Sequence, residues 1–203
     1  MAEVTLIDIP TQPTEFCWSP NTWKTRILLN YKGIPYDTEW VEYPDLADKL
    51  KGLGIPPNDP DEIAPYTAPS VIFKSDGKSF MESFSIAAEI NKRYPNPPLP
   101  CDTQIQAKAS ECIQKLFACV VAELIPRVPS ILPPRSAEYF HETRKDRFGM
   151  SLEDFANEKG GLKCWGAAEE PLKQLAGLLK ENDSGPFFEG EQGESSPMFG
   201  EQF

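Results

Sequence analysis

The chain has 203 residues, a formal net charge of −11 at pH 7 and an isoelectric point near 4.6. A surface this acidic repels the phosphates of nucleic acids and of anionic lipids, so neither a nucleic acid nor a membrane is expected as a partner. The first residues show no signal pattern, and no apolar run reaches the roughly 18 residues that span a bilayer. These features predict a globular cytoplasmic protein.

The residues that commonly bind metals are few. The five cysteines, an odd number without metal-ligand spacing, predict neither a disulfide framework nor a metal site; they are Cys17, Cys101, Cys112, Cys119 and Cys164. The one histidine, His141, lies in a charged helical stretch and is expected on the surface. Cys112 and Cys119 lie two turns apart on one helix face, where a core position is expected.

The N-terminal stretch alternates strand and helix patterns. An apolar run over residues 4–9 predicts a strand, and a helical pattern then runs to about Gly33. Ser19 is a preferred N-cap residue and Pro20 suits the first helical position, so the pair predicts where this helix begins. Residues 36–41 alternate with a period of two, which predicts a second strand.

The beginning of that helix suits a bound anion. A helix N-terminus presents N–H groups without intrahelical partners and a partial positive charge, which stabilise a nearby anion by about 0.3 to 1 kcal/mol. A thiolate is such an anion. The alternative interpretation of Ser19 and Pro20 is a structural cap only.

A hairpin and a helix follow. Residues 45–61 predict a loop with a short helix around 46–50. Strands are predicted at 70–73 and 78–81, joined by Ser75-Asp76-Gly77, because Asp-Gly tolerates the positive φ of a tight turn. A helix is predicted from Ser83, a candidate cap, to just before Pro95.

The C-terminal part is predicted to be helical. A proline-rich linker leads to helices at 103–125, 136–157 and 164–181. We therefore divide the chain into an α/β domain at 1–94, a linker at 95–101, an all-α domain at 102–190 and an irregular tail at 191–203.

The element order and three motifs resemble the thioredoxin-like N-terminal domain of the glutathione S-transferases. The first motif is Ser-Pro-Asn-Thr-Trp-Lys at 19–24, the second is Tyr-Thr-Ala-Pro-Ser at 66–70, and the third is Met-Glu-Ser at 81–83. Each motif is weak alone, but their order and spacing together are specific. The resemblance implies a glutathione S-transferase fold, in which an all-α C-terminal domain follows the thioredoxin-like domain.

The chain resembles one class of these enzymes more closely. Tyr-Lys-Gly-Ile-Pro-Tyr at 31–36 and Trp-Val-Glu-Tyr-Pro-Asp at 40–45 are similar to the fungal A class, which is related to bacterial β-etherases. The resemblance extends over about residues 4–190. At this point the family continues into further helices, whereas residues 191–203 of this chain show no helical periodicity. We therefore expect an all-α domain that is incomplete at its C-terminus.

The resemblance implies roles for individual residues. Ser19 would donate a hydrogen bond to the glutathione thiolate, and Asn21 could share that role. Ala68 and Pro69 occupy the positions where the family has a cis proline and a backbone that pairs with the cysteinyl part of glutathione. Glu82 and Ser83 would hold the γ-glutamyl end, since Glu82 can accept from its ammonium while Ser83 and the helix amides suit its carboxylate.

The implied function is glutathione conjugation in detoxification. The thiolate would attack a small hydrophobic or aromatic electrophile, ether carbons included, with glutathione as co-substrate, no metal, and a homodimer as the expected assembly. One alternative is thiol exchange with Cys17 as the nucleophile, and another is a non-catalytic ligandin that binds phenolic or aromatic compounds. Loss of function on replacing Ser19 or Cys17 would separate these hypotheses.

Overall fold

The computed structural model describes residues 1–99, 104–181 and 185. These form two compact units. The first contains Met1–Pro97 and Pro129–Phe140, and the second contains the described parts of Pro98–Val128 and His141–Phe203. The tail at 191–203, with the end of the linker, lies outside the described residues, and the domain boundaries given above stay predictions.

The first unit is a four-stranded mixed sheet with helices. Its strands are β1 (Val4–Asp8), β2 (Tyr36–Trp40), β3 (Ser70–Phe73) and β4 (Ser79–Met81), and its helices are α1 (Pro20–Tyr31), α2 (Tyr43–Gly52) and α3 (Ser83–Arg93). The strand order is β2-β1-β3-β4, with β1 parallel to β2 and antiparallel to β3, and β3 antiparallel to β4. This is the predicted thioredoxin-like arrangement.

Apolar side chains on both sides of β1 explain the packing of this sheet. Leu6 and Ile7 are both fully buried although they point to opposite faces. Leu29 on α1 and Ile86 on α3 are also fully buried, and α1 packs against α3. Burying each such side chain contributes about 1.5 to 3 kcal/mol.

The strand register brings three loops to one edge of the sheet. Ile7, near the end of β1, pairs with Ser70 at the start of β3, and Ser70 pairs with Met81 at the end of β4. Three connections therefore meet at this edge: the one from β1 to α1, the one that enters β3 and the one from β4 to α3. The three predicted motifs lie at these connections: the first at the start of α1, the second before β3 and the third between β4 and α3.

The predicted short helix at 46–50 is longer in the structure. It is α2, which begins at Tyr43, and Pro44 is in its first turn, where proline lacks only an N–H that has no intrahelical partner. Leu46 and Leu50, one turn apart, are its buried residues. The loop after α2 contains no strand or helix before β3.

The remaining helices confirm that the C-terminal part is all-α, but its described residues contain four α-helices where three were predicted. They are α4 (Gln104–Leu124), a 3-10 segment (Ile125–Ile131), α5 (Pro134–Phe148), α6 (Leu152–Lys159) and α7 (Leu162–Lys180). In the second unit α4 packs on α7, with Ala109, Cys112 and Leu178 buried together. His141 is exposed and Cys112 is buried, both as predicted, while Cys119 is half-buried.

The single helix predicted at 136–157 is wrong, because α5 and α6 are separate helices. Gly149 has φ +70°, a left-handed conformation that ends α5. Ser151 then caps α6, and its Oγ accepts a hydrogen bond from the Asp154 amide at 3.0 Å. No helix in the described residues is both long and apolar enough to cross a membrane.

Candidate functional site

Ser19 stands at the N-terminus of α1, as the sequence predicts. Its backbone is extended (φ −75°, ψ 126°), and its carbonyl accepts the first helical hydrogen bond from the Trp23 amide at 3.0 Å. Ser19 is the N-cap residue, as predicted, but its side chain makes no capping hydrogen bond. The half-buried hydroxyl is therefore not committed to the helix amides.

Asn21 occupies the second position of α1 and is half-buried. It shares the first helical turn with Pro20, directly after Ser19. Both predicted residues of the catalytic pair are thus placed at the positive end of the α1 dipole, where an anion is stabilised.

Ala68 and Pro69 form the loop that enters β3. The peptide bond between them is cis, and Pro69 is buried while Ala68 is half-buried. Thr67, directly before them, is fixed at both backbone polar groups: its amide donates to Met81 Sδ at 3.2 Å, and its carbonyl accepts from Ser70 Oγ at 3.0 Å. The loop is thereby joined to the ends of β3 and β4.

Glu82 and Ser83 form the junction between β4 and α3. The predicted cap is displaced by one residue: Glu82 is the N-cap and Ser83 is the first residue of α3. Glu82 has φ +71°, which is uncommon for a residue with a side chain and costs of order 1 to 3 kcal/mol. Such strained residues concentrate at functional sites, where the surrounding structure maintains them.

The Glu82 carboxylate is held by two residues that sequence reasoning missed. Its Oε1 accepts hydrogen bonds from Asn58 Nδ2, at 3.1 Å, and from Thr67 Oγ1. Thr67 belongs to the second motif, so its position next to Ala68 was a usable signal. Asn58 lies in a proline-rich loop, and nothing in the sequence distinguishes it.

Lys24 is the third residue that was missed. It lies on the buried side of α1 and is only 7% exposed. Burial lowers the pKa of its ammonium, and the negative charge of Glu82 acts in the opposite direction. This electrostatic interaction connects α1 to the junction of β4 and α3. Lysine is rarely buried in proteins, so composition predicts a surface position.

Cys17 lies two residues before Ser19 and is half-buried. Its Sγ is 3.8 Å from the Ser19 carbonyl oxygen. Burial, followed by the charge and the hydrogen bond of Asp8, raises the pKa of the Cys17 thiol to about 12, with Arg26 opposing. Nucleophilic cysteines have a lowered pKa, so this environment does not activate the thiol.

A groove of about 490 Å³ in the first unit lies beside the ends of β1 and β2. Its lining residues are Pro10, Thr11, Pro13, Glu15, Trp40, Val41, Glu42, Asp45 and Pro133. None of the predicted site residues is among them, so this groove is separate from the junction that contains Glu82. In the described part of the chain, no group of three His, Cys, Asp or Glu residues could hold a metal ion.

The comparisons with known proteins agree with this geometry. The family model for the N-terminal domain of glutathione S-transferase matches residues 18–93, and the model for the C-terminal domain matches residues 106–200. The glutathione S-transferase-like protein ustS of Aspergillus flavus is 34% identical over 196 residues, which are 88% of this chain and 70% of ustS.

Solved structures of fungal enzymes are similar as well. A glutathione S-transferase of Ceriporiopsis subvermispora in complex with glutathione has 34% identity and a TM-score of 0.78, over 96% of this chain and 80% of that one. A glutathione transferase of Phanerochaete chrysosporium, GSTFuA2, has 33% identity and a TM-score of 0.83, over 98% and 81%. The thioredoxin-like sheet, the three motifs at one of its edges and these matches to both domains show that the chain belongs to the glutathione S-transferase family of enzymes.

Proposed function

We propose that the chain is a serine-type glutathione transferase in which Ser19 donates a hydrogen bond to the glutathione thiolate. The observation that carries this proposal is the Ser19 hydroxyl, which stands at the N-terminus of α1 without a capping hydrogen bond. A hydrogen bond to a charged group contributes about 1.5 to 3 kcal/mol. Lowering the thiol pKa by one unit requires about 1.4 kcal/mol, so one such bond is sufficient.

Asn21 has a secondary role in this proposal. It lies at the second position of α1, next to the helix amides that would stabilise the thiolate, and its side chain would add a second donor. The dipole of α1 adds its stabilisation to that of the Ser19 hydroxyl.

The remaining predicted residues would bind the rest of glutathione. The backbone of Ala68, before Pro69, would pair with the cysteinyl part. Glu82 would accept from the α-ammonium of the γ-glutamyl residue, and Ser83 with the first amides of α3 would bind its α-carboxylate. The register that joins β1, β3 and β4 at one edge supports this assignment, since it places these loops side by side.

The acceptor in this proposal is a small hydrophobic or aromatic electrophile, with ether cleavage as one candidate reaction, as in the class that the chain resembles. Detoxification in the cytoplasm and a homodimeric assembly belong to the same proposal.

Thiol exchange through Cys17 receives no support from the site. A thiol whose pKa is raised to about 12 is almost entirely protonated near neutral pH, and the protonated form is not the nucleophile. A ligandin without catalysis remains the second outcome of the experiment below.

Ser19→Ala tests the proposal directly. Glutathione binding is measured by calorimetry, and the pKa of bound glutathione is measured from the ultraviolet absorbance of its thiolate. We expect Ser19→Ala to retain binding within about 10-fold and to raise the bound thiol pKa by at least about 1 unit. Conjugation of an aromatic electrophile should fall by about 10- to 100-fold.

Cys17→Ala is the matched control, because it alters a neighbouring residue that the proposal does not use. Its conjugation rate should equal that of the parent. Loss of activity in Cys17→Ala with full activity in Ser19→Ala would establish the thiol-exchange alternative. Binding of aromatic compounds without conjugation in the parent would establish a ligandin.

A further inference from the structure

We propose that Asn58 is a positioning residue of the glutamyl subsite, which holds one carboxylate oxygen of Glu82 so that the other oxygen faces the α-ammonium of the ligand. This inference rests on the proposed function, because it assigns glutathione to the site. The new element is Asn58, which lies in the loop after α2. By orienting the Glu82 carboxylate, Asn58 would control how well the site recognises the free α-amino group of the ligand.

The two oxygens of Glu82 have different environments. Oε1 accepts from both Asn58 Nδ2 and Thr67 Oγ1. Among the described residues none donates to Oε2, so in this part of the chain its acceptor positions are open to the α-ammonium of the ligand. A carboxylate has two oxygens and about four acceptor positions, so occupying one oxygen with protein donors fixes the direction of the other.

Asn58 is itself rigidly held. Its backbone amide donates to the Pro65 carbonyl at 2.8 Å, and Nδ2 donates to the Ala64 carbonyl at 3.0 Å. The amide group has two N–H donors, and both are used: one closes the loop and the other binds Glu82. The hydrogen bond to Glu82 therefore forms without a further loss of side-chain freedom, which is what a preorganised site requires.

Thr67 contributes the second donor from another direction. Its hydroxyl binds Glu82, while its backbone groups hold the loop that continues into Ala68 and Pro69. The glutamyl subsite and the proposed cysteinyl subsite thus share one residue. The charge of Glu82 also acts on Lys24, buried on α1, where it opposes the lowering of the Lys24 pKa by burial.

The test compares glutathione with its deamino analogue, glutaryl-cysteinyl-glycine, which lacks only the α-amino group. Calorimetry on the full chain gives the ratio of the two affinities. We expect the parent to prefer glutathione by at least about 10-fold, because a hydrogen bond between charged groups is lost in the analogue.

Two variants remove one donor each. Asn58→Ala removes the donor from the loop, and Thr67→Val removes the hydroxyl while conserving the shape of the side chain and the hydrogen bond between Asn58 and Ala64. We expect both to reduce the preference for glutathione to about 3-fold or less, with the affinity for the deamino analogue unchanged. Glu82→Gln should abolish the preference, since it removes the charge.

The selectivity ratio separates positioning from a general effect on folding. If Asn58→Ala weakens both ligands equally, or weakens neither, the proposal is overturned. A parent that binds neither ligand overturns this proposal and the proposed function together. A parent that binds glutathione with the expected preference, while Ser19→Ala conjugates at the full rate, overturns only the serine mechanism.

Discussion

Arg26 on α1 and Asp8 at the end of β1 form an ion pair in which Nη2 and Oδ2 are 2.9 Å apart. The Asp8 side chain is fully buried and the Arg26 side chain is 11% exposed. Arg26 Nη2 also donates to Thr38 Oγ1 on β2 at 3.1 Å, and its guanidinium lies 5.3 Å from the centre of the Trp40 ring. One arginine therefore joins α1 to two strands beneath the loop that carries Ser19.

Removing the arginine alone should destabilise the protein strongly. In Arg26→Met the buried carboxylate of Asp8 loses its charged partner, and breaking a buried pair in this way costs about 3 to 5 kcal/mol. The double variant Asp8→Asn with Arg26→Met should recover most of this loss, because it leaves no unpaired buried charge. Urea denaturation followed by circular dichroism measures both. If the free energy of unfolding of Arg26→Met lies within about 1 kcal/mol of that of the parent, this buried ion pair contributes no more than a solvent-exposed ion pair does.

The Cys17 thiol should react slowly in the folded protein. Its pKa is raised from 9.0 to about 12, so at pH 8 the reactive thiolate is about 1000-fold rarer than in an unstructured chain. We expect alkylation of Cys17 by iodoacetamide, followed by peptide mass analysis, to be at least about 100-fold slower than in urea. Equal rates in the folded and the unfolded protein would contradict the environment described for this thiol.

The same shift of the Cys17 pKa links stability to pH. A pKa raised by folding means that the folded state binds the proton more tightly, so this contribution is fully present below about pH 9 and is lost as the pH rises toward about 12. Between these values the parent should lose stability more steeply than Cys17→Ala, as measured by urea midpoints at each pH. Parallel curves for the two proteins would show that Cys17 does not contribute.

Local patterns predicted the elements of the first unit because each depends on residues close in sequence. The alternation at 36–41, the Ser19-Pro20 pair and the Asp76-Gly77 turn are of this kind. Asn58 and Glu82 are 24 residues apart, and their hydrogen bond depends on how two loops meet, which no local pattern encodes. The break between α5 and α6 did have a local signal in Ser151, but the helical periodicity on both sides outweighed it.

Lys24 illustrates a second reason why the site could be predicted only in part. Its burial follows from its place on the side of α1 that faces the protein interior, and a nearby carboxylate compensates part of the cost of burying it. Sequence alone assigns lysine to the surface, because the compensating partner belongs to another element.

Because of the backbone conformation of Glu82, its replacement by glycine and its replacement by alanine should give proteins of different stability. With φ +71°, the Cβ of alanine remains unfavourable, whereas glycine adopts this conformation without a steric cost. We expect Glu82→Gly to be more stable than Glu82→Ala by about 1 kcal/mol in thermal or urea melts. Both variants lack the carboxylate, so both should lose the preference for glutathione over its deamino analogue in calorimetry. A Glu82→Ala variant that is as stable as Glu82→Gly would show that this junction relaxes freely.

Replacing two glycines of the second unit, Gly160 and Gly177, by alanine should change the stability of the protein in opposite directions. A Cβ at Gly160 would lie 2.5 Å from the Ala156 carbonyl oxygen and 2.8 Å from Glu123 Oε1, whereas a Cβ at Gly177 meets nothing within 4 Å. Glu123 Oε1 also accepts the Gly161 amide at 2.5 Å, so it cannot withdraw without losing that bond.

Gly160→Ala must therefore shift the backbone between α6 and α7, and overpacking of this kind costs about 1 to 3 kcal/mol. Gly177 lies within α7, where alanine is favoured over glycine by about 0.8 to 1 kcal/mol, so Gly177→Ala should raise the melting temperature while Gly160→Ala lowers it. If both variants melt at the parental temperature, the turn before α7 accommodates a methyl group and α7 gains nothing from helix propensity. Because both glycines lie outside the first unit, glutathione binding should be unchanged in either variant at temperatures where it is folded.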